Sequence, residues 1–305
     1  MFYRFKSLSL MSLVLCFIFP MSVWKPLQAS QTLAQSFDAE SQADQLVKKG
    51  EELVDQGRSE VALPLFEQAL AIYRKINNHR GEAQTLKGIG NVYYDLKDYQ
   101  RSLSSQQQAL KIAQVINDKD LQARTLSNIG NAYRALGDIN QAISFYQQSL
   151  AVARQIKNRQ IEANTLENLG YAYFSIDVKK AISFLEQSLV ALRQVGGSPQ
   201  EQLRQRQQEA DILISVGRNY FILHQAQGVQ GEGQGKPILD KSIQAYQQAL
   251  NIAKQIGIPA QQGEIFLGLG RSYNSQSQYL QALKSFQQAV QAFQQDQKSR
   301  VRLGE

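Results

Sequence analysis

The sequence predicts an all-α protein, built as a solenoid of about six helix-turn-helix repeats. Three observations lead there. A nine-residue segment recurs as TLKGIGNVY from Thr85, TLSNIGNAY from Thr125 and TLENLGYAY from Thr165. A glycine returns at a fixed interval: Gly50, Gly90, Gly130 and Gly170 are 40 residues apart, and Gly217 and Gly270 continue the series at 47 and 53. Each interval also holds two helical hydrophobic periods, the mark of one supersecondary unit repeated along a chain.

Residues 1–29 precede the repeats and read as a secretory signal peptide. Arg4 and Lys6 form a short positive start, Leu8 to Phe19 is an apolar run broken only by Ser9 and Ser12, and Pro20 interrupts it. Leu27 and Ala29 would occupy the −3 and −1 positions, with Thr32 and Ala34 as a second choice. The alternative is an uncleaved signal anchor, because the apolar stretch to Trp24 approaches the ~18 residues that span a bilayer. Cys16 reads as filler within that run, since Leu15 precedes it and Phe17 follows. Residues 30–44 are polar and read as a linker.

The repeats then occupy 45–297, divided as 45–84, 85–124, 125–164, 165–211, 212–264 and 265–297, with 298–305 as a tail. The third repeat shows the pattern. Leu126, Ile129, Gly130 and Tyr133 form one stripe of an amphipathic helix. Leu136-Gly137-Asp138 stops it, and Ala142, Tyr146, Ser149, Leu150 and Ala153 form the next stripe. The recurring glycine sits mid-helix, where it costs up to ~1 kcal/mol relative to Ala. Close approach of the paired helix accounts for it, with a small residue such as Ala142 or Ala282 expected opposite. Pro64 falls in the second turn of its helix and removes one backbone bond. Ser198 reads as an N-cap with Pro199 at the first helical position. The turn at Ser175-Ile176-Asp177 is one residue short, and the Gly- and Gln-rich stretch Ala226 to Lys236 reads as a mobile loop.

Composition excludes several classes. The chain is 43% hydrophobic and 19% charged, which is neither disordered nor multi-span membrane protein. One Cys and two His give no disulfide framework and no zinc site. His79 is expected in a surface turn and His224 at a helix end; neither has a recognisable nucleophile partner. The glycines of 228–235 lack the features of a phosphate-binding loop. No cofactor, metal or catalytic constellation is expected, and the chain is read as non-enzymatic. The formal charge of +7 includes Arg4, Lys6 and Lys25, so cleavage after Ala29 would leave +4. That is too little to indicate nucleic acid. The 45 glutamines are read as solvated helix faces.

The sequence resembles the tetratricopeptide repeat (TPR) family from about Gln45 to Gln297. The pattern appears as Leu269, Gly270, Tyr273, Ala282, Phe286 and Ala289, and again as Gly50, Ala62, Phe66 and Ala69. The 40-residue period resembles the longer repeats of kinesin light chains and many bacterial proteins. The resemblance implies a right-handed α-solenoid whose first helices line a concave, peptide-binding groove. Against it, the second repeat carries Ser102 and Gln106 where Ala and an aromatic are expected, and looser packing is anticipated there.

Numbering each first helix so that the repeated glycine is position 8, positions 5, 9 and 12 form the face turned away from the core. The groove candidates on and beside that face are Lys87, Asn91, Tyr94, Asn128, Asn131, Arg134, Tyr171, Phe174, Arg218, Phe221, Arg271 and Asn274. Asn offers a donor and an acceptor to a peptide backbone, and Arg and aromatics are common interface anchors. Some TPR proteins clamp a C-terminal carboxylate; Lys87, Asn91 and Asn128 match three of five clamp positions, but Asn164 and Asn168 stand at the two basic ones. The sequence therefore points to an exported, non-catalytic TPR scaffold for an acidic and apolar peptide or protein, meeting a membrane only through an uncleaved N-terminus. The alternatives are a membrane-anchored assembly factor and an accessory or sensor subunit of a separate catalytic chain.

Overall fold

A left-handed backbone residue followed by a capping side chain recurs every 20 residues. Gly57, Asn77, Lys97, Asn117, Gly137 and Lys157 all have φ between +55° and +86°. After the last five of these, Asn78, Asp98, Asp118, Asp138 and Asn158 each accept a hydrogen bond from the backbone N–H three residues on, whereas Arg58 after Gly57 gives no side-chain cap. One residue ends a helix and the next starts another.

The computed structural model describes residues 21–227 and 235–303, with side chains over 36–227 and 235–298. Twelve helices lie among the described residues: α1 Met21–Asp55, α2 Ser59–Lys75, α3 His79–Asp95, α4 Tyr99–Val115, α5 Lys119–Ala135, α6 Ile139–Gln155, α7 Arg159–Tyr173, α8 Val178–Leu192, α9 Pro199–Ala226, α10 Lys236–Ile256, α11 Pro259–Ser275 and α12 Tyr279–Leu303. No strand occurs among the described residues. Odd- and even-numbered helices pair as the two arms of six repeats. The capping box at Ser198 and Glu201 opens α9, with Pro199 in its first turn.

The repeated glycines receive large side chains. Phe66, Gln106, Tyr146, Leu185, Tyr246 and Phe286 lie over Gly50, Gly90, Gly130, Gly170, Gly217 and Gly270, where an added Cβ would fall 2.5 to 3.0 Å from them. The close approach is real, but its partner is not the small Ala142 or Ala282. A ring or branched chain on the second helix fills the socket that the missing Cβ leaves. The small residues stand four before and three after that knob: Ala142 and Ser149 around Tyr146, and Ser242 and Ala249 around Tyr246, all fully buried.

Where looser packing was expected, Ser102 and Gln106 are both shut off from solvent, each 1% exposed. The Gln106 amide donates to the Lys87 carbonyl at 3.1 Å and to Asn91 Oδ1 at 2.9 Å, while its Oε1 is buried without a partner. The cost at this position is an unmet acceptor.

Helix ends also differ from the sequence reading. Residues 30–44, read as a polar linker, belong to α1, with Ala43 fully buried. Residues 298–303 continue α12, since neither Gly nor Pro intervenes before Gly304. His79 is the first residue of α3 and is exposed; α3, α5, α7 and α11 begin six residues before the expected boundaries and α9 thirteen before. Residues 1–20 and 228–234 lie outside the described residues, and with them most of the signal segment and of the expected loop.

The chain forms two compact units, Met1–Ile116 and Asn117–Glu305. In the first, Leu53, Phe66, Leu86, Ile89 and Val92 share a core, and α1 is tied to its neighbours where Tyr73 donates to Asp44 and Asn78 donates to Glu40. In the second, one core runs from Ala142 to Ala289 through Leu169, Leu185, Ile212, Tyr246 and Ile265. Buried Ser149, Ser188 and Ser242 donate to the carbonyls of Ala123, Ala163 and Gly217 at 2.7 to 2.8 Å, fastening second helices to first ones.

Candidate functional site: the first-helix face

In the second unit, polar side chains link the first helices in sequence. Asn168 of α7 donates to Ser127 of α5 at 3.2 Å. Gln208 of α9 donates to Asn164 and Glu167 of α7 at 2.9 and 2.7 Å. Gln261 of α11 donates to Asp211 of α9 at 2.6 Å, and Arg218 of α9 pairs with Glu264 of α11. These bonds hold α5, α7, α9 and α11 side by side and define a polar face.

Charge on this face is sorted along the helices. Glu167, Asp211 and Glu264 lie at positions 2 and 5, and Arg134, Arg218 and Arg271 at positions 9 and 12, on the C-terminal side of the acids. Burial pushes the Glu167 carboxyl up; its bonds from Gln208 and Tyr171 oppose the shift, and the charge of Asp211 adds to it. Burial also raises Asp211, against the bond from Gln261 and with the charge of Glu264. Tyr171 donates to Glu167 at 2.8 Å, and burial followed by that carboxylate raises its hydroxyl well above the ordinary value.

The candidates from the sequence fall as follows. In the first unit, Lys87 and Tyr94 are half-buried and Asn91 is exposed, its Oδ1 taken by Gln106. In the second, Asn128, Asn131, Arg134, Tyr171 and Phe221 are half-buried, while Phe174, Arg218, Arg271 and Asn274 are exposed. Asn131 Oδ1 accepts from Tyr146 at 2.7 Å, so this Asn also serves its own repeat. Arg218 is engaged by Glu264, and Arg134 Nε is buried with no partner. At the clamp positions, Asn164 accepts from Gln208 of α9 and Asn168 donates to Ser127 of α5. The carboxylates Asp211 and Glu264 were missed. They sit at position 2, one turn before the positions used, on the same i, i+3, i+7 stripe. Among the described residues no group of acids, His and Cys could hold a metal ion, and no helix is long and apolar enough to cross a membrane.

A family model for the tetratricopeptide repeat matches residues 46–114 and 121–194. Those segments are tetratricopeptide repeats. The later helix pairs α9/α10 and α11/α12 keep the same glycine-and-knob register. Solved TPR-like structures share the fold. BtubC (BKLC) from P. vanneervenii aligns at 15% identity and TM-score 0.57, over 86% of this chain and 92% of that one. A signal transduction ATPase with numerous domains, which carries a tetratricopeptide repeat sensor, from Pyrococcus horikoshii aligns at 15% and 0.64, over 87% of this chain and 38% of that one. A Rap protein complexed with competence and sporulation factor aligns at 14% and 0.51, over 82% and 74%. A search of curated proteins gave no significant match. The TPR fold is that of a protein-interaction scaffold.

Proposed function

We propose that this chain is an exported, non-catalytic scaffold that binds an extended segment of a partner protein across the first-helix face of residues 117–275. The observation that carries this reading is the row of four cross-linked first helices, which presents sorted charges and amide groups. A segment lying across the row meets Arg271 and Phe221 on one edge, which suit acidic and apolar side chains. On the other edge it meets Asp211 and Glu264, which suit a basic one. The Rap protein solved with competence and sporulation factor supports a binding role for this fold.

Export rests on the positive start and apolar run of residues 4–19. Cleavage after Ala29 would fall within α1 but spare Glu40, Ala43 and Asp44, which hold it to α2 and α3. The mature protein would then lack residues 1–29 and, with Trp24 gone, all tryptophan emission.

The test is capture of a partner by the purified chain and by an Arg134→Ala/Arg271→Ala variant. Recovery should drop at least about tenfold in the variant, which corresponds to ~1.4 kcal/mol, with helicity unchanged. Equal recovery by both proteins would place binding elsewhere and overturn the reading.

A further inference from the structure

One joint between repeats differs from its counterparts and encloses a cavity. Arg74, Arg154 and Arg193, at the C-terminal ends of α2, α6 and α8, reach the following helix through Nε and pair with Glu82, Glu162 and Glu209 at 2.8, 2.9 and 2.7 Å. A second basic residue stands three before each acid. His79 lies 3.7 Å from Glu82, and Arg159 lies 2.5 Å from Glu162. Arg206 is placed differently. Its Nη1 donates to the uncharged Gln255 of α10 at 2.7 Å, and no carboxylate pairs with it among the described residues. Helix length differs here too: His79 and Arg159 begin α3 and α7, whereas Pro199 to Gln205 add about two turns to α9 ahead of Arg206.

The added turns wall a cavity of 390 Å³, with Gln202 and Gln205 on that side. Their amides donate to the carbonyls of Gly197 at 3.0 Å and Gly196 at 3.5 Å, which ties the extension to the chain leaving α8. Opposite are Leu192 and Ile252, both buried, and half-buried Val195, all aliphatic. Arg193, Arg206 and Glu209 are the charged lining residues. The first and last neutralise each other, so Arg206 leaves one positive charge in excess. Sites for small ligands span about 300–1,000 Å³ and combine an apolar lining with a few polar groups.

We propose that this cavity binds a small aliphatic monocarboxylate, its carboxylate on Arg206 and its chain on Leu192, Val195 and Ile252. A guanidinium carries several donors in a planar fork, and Gln255 takes one, so Arg206 keeps others for the carboxylate oxygens. One excess charge matches a single carboxylate better than the two charges of a phosphate. The proposal is independent of the partner-binding reading, since none of the lining residues belongs to the first-helix network.

Calorimetric titration of the full chain with hexanoate should give one site with a Kd of about 1 mM, within reach of so small a ligand. Arg206→Gln, and Val195→Phe, which fills the cavity, should each weaken binding at least about tenfold with helicity retained. Acetate lacks the chain and hexanamide lacks the charge, and each should bind at least about tenfold more weakly than hexanoate. Hexanoate binding that survives either substitution would overturn the proposal. So would acetate or hexanamide binding as tightly as hexanoate, or no hexanoate binding at about 20 mM.

Discussion

Gln106 and Tyr146 occupy one position in successive repeats, and each bonds the Asn at position 9 of its first helix. The difference is that Gln106 keeps a buried acceptor unmet, while Tyr146 fills its socket with a ring and leaves nothing orphaned. Gly90 leaves room for the same ring that Gly130 accommodates. Gln106→Tyr should therefore raise stability by about 1–2 kcal/mol, read as a shift in the urea midpoint without a change in slope. The position was visible in the sequence as a departure from pattern. Its consequence was not, because an amide of similar length reaches two acceptors that only the folded neighbour places. The glycine's purpose was legible to the same depth: periodicity showed that something came close, and only packing showed that it was Phe66, Tyr146 or Phe286.

The 20-residue turns vary in how well their residues suit them. Gly137 and Asn117 tolerate positive φ, but Lys97 and Lys157 adopt φ of 61° and 57°, where a β-carbon is strained. Relief of that strain exceeds the added flexibility of glycine in the unfolded chain. Lys97→Gly and Lys157→Gly should each stabilise by about 0.5 kcal/mol, and Gly137→Ala should destabilise by about 1 kcal/mol; thermal melts of the three variants check this. Most helices were legible from stripe and stop signals. The first-helix network was less so. Position 2 could have been read by extending the stripe one turn, but Gln208 lies on the N-terminal extension of α9 and meets Asn164 across 44 residues of sequence. The helical course of residues 30–44 was hidden because polarity alone does not distinguish a solvated helix from a linker.

For the protein as a whole, the carboxylates of the first-helix face give stability an unusual slope with pH. Glu167 and Asp211 have raised pKa values when folded, so the folded chain retains protons that the unfolded chain has released. Their contribution is greatest below the ordinary carboxylate range and declines as pH rises through the raised values. Glu162 opposes them. Burial alone would raise it, but Arg154 and Arg159 lower it, so its contribution is lost as pH falls. Glu167→Gln/Asp211→Asn should remove the decline between about pH 4 and 7 and leave the acid loss from Glu162 in place. Parallel denaturant titrations of both proteins across that range measure the difference; identical slopes would show that the two carboxylates are unperturbed.

Because α1 to α12 pair in order along the chain, none of the described helices is threaded beneath another, and each helix pair has a definite response to load. Pulled from its two ends, the chain can shed one helix pair without first breaking a distant one. A pair of about 40 residues, drawn taut at ~3.5 Å per residue, lengthens the chain by up to ~140 Å. Such a protein pays out length in steps, and its first-helix face shortens one repeat at a time.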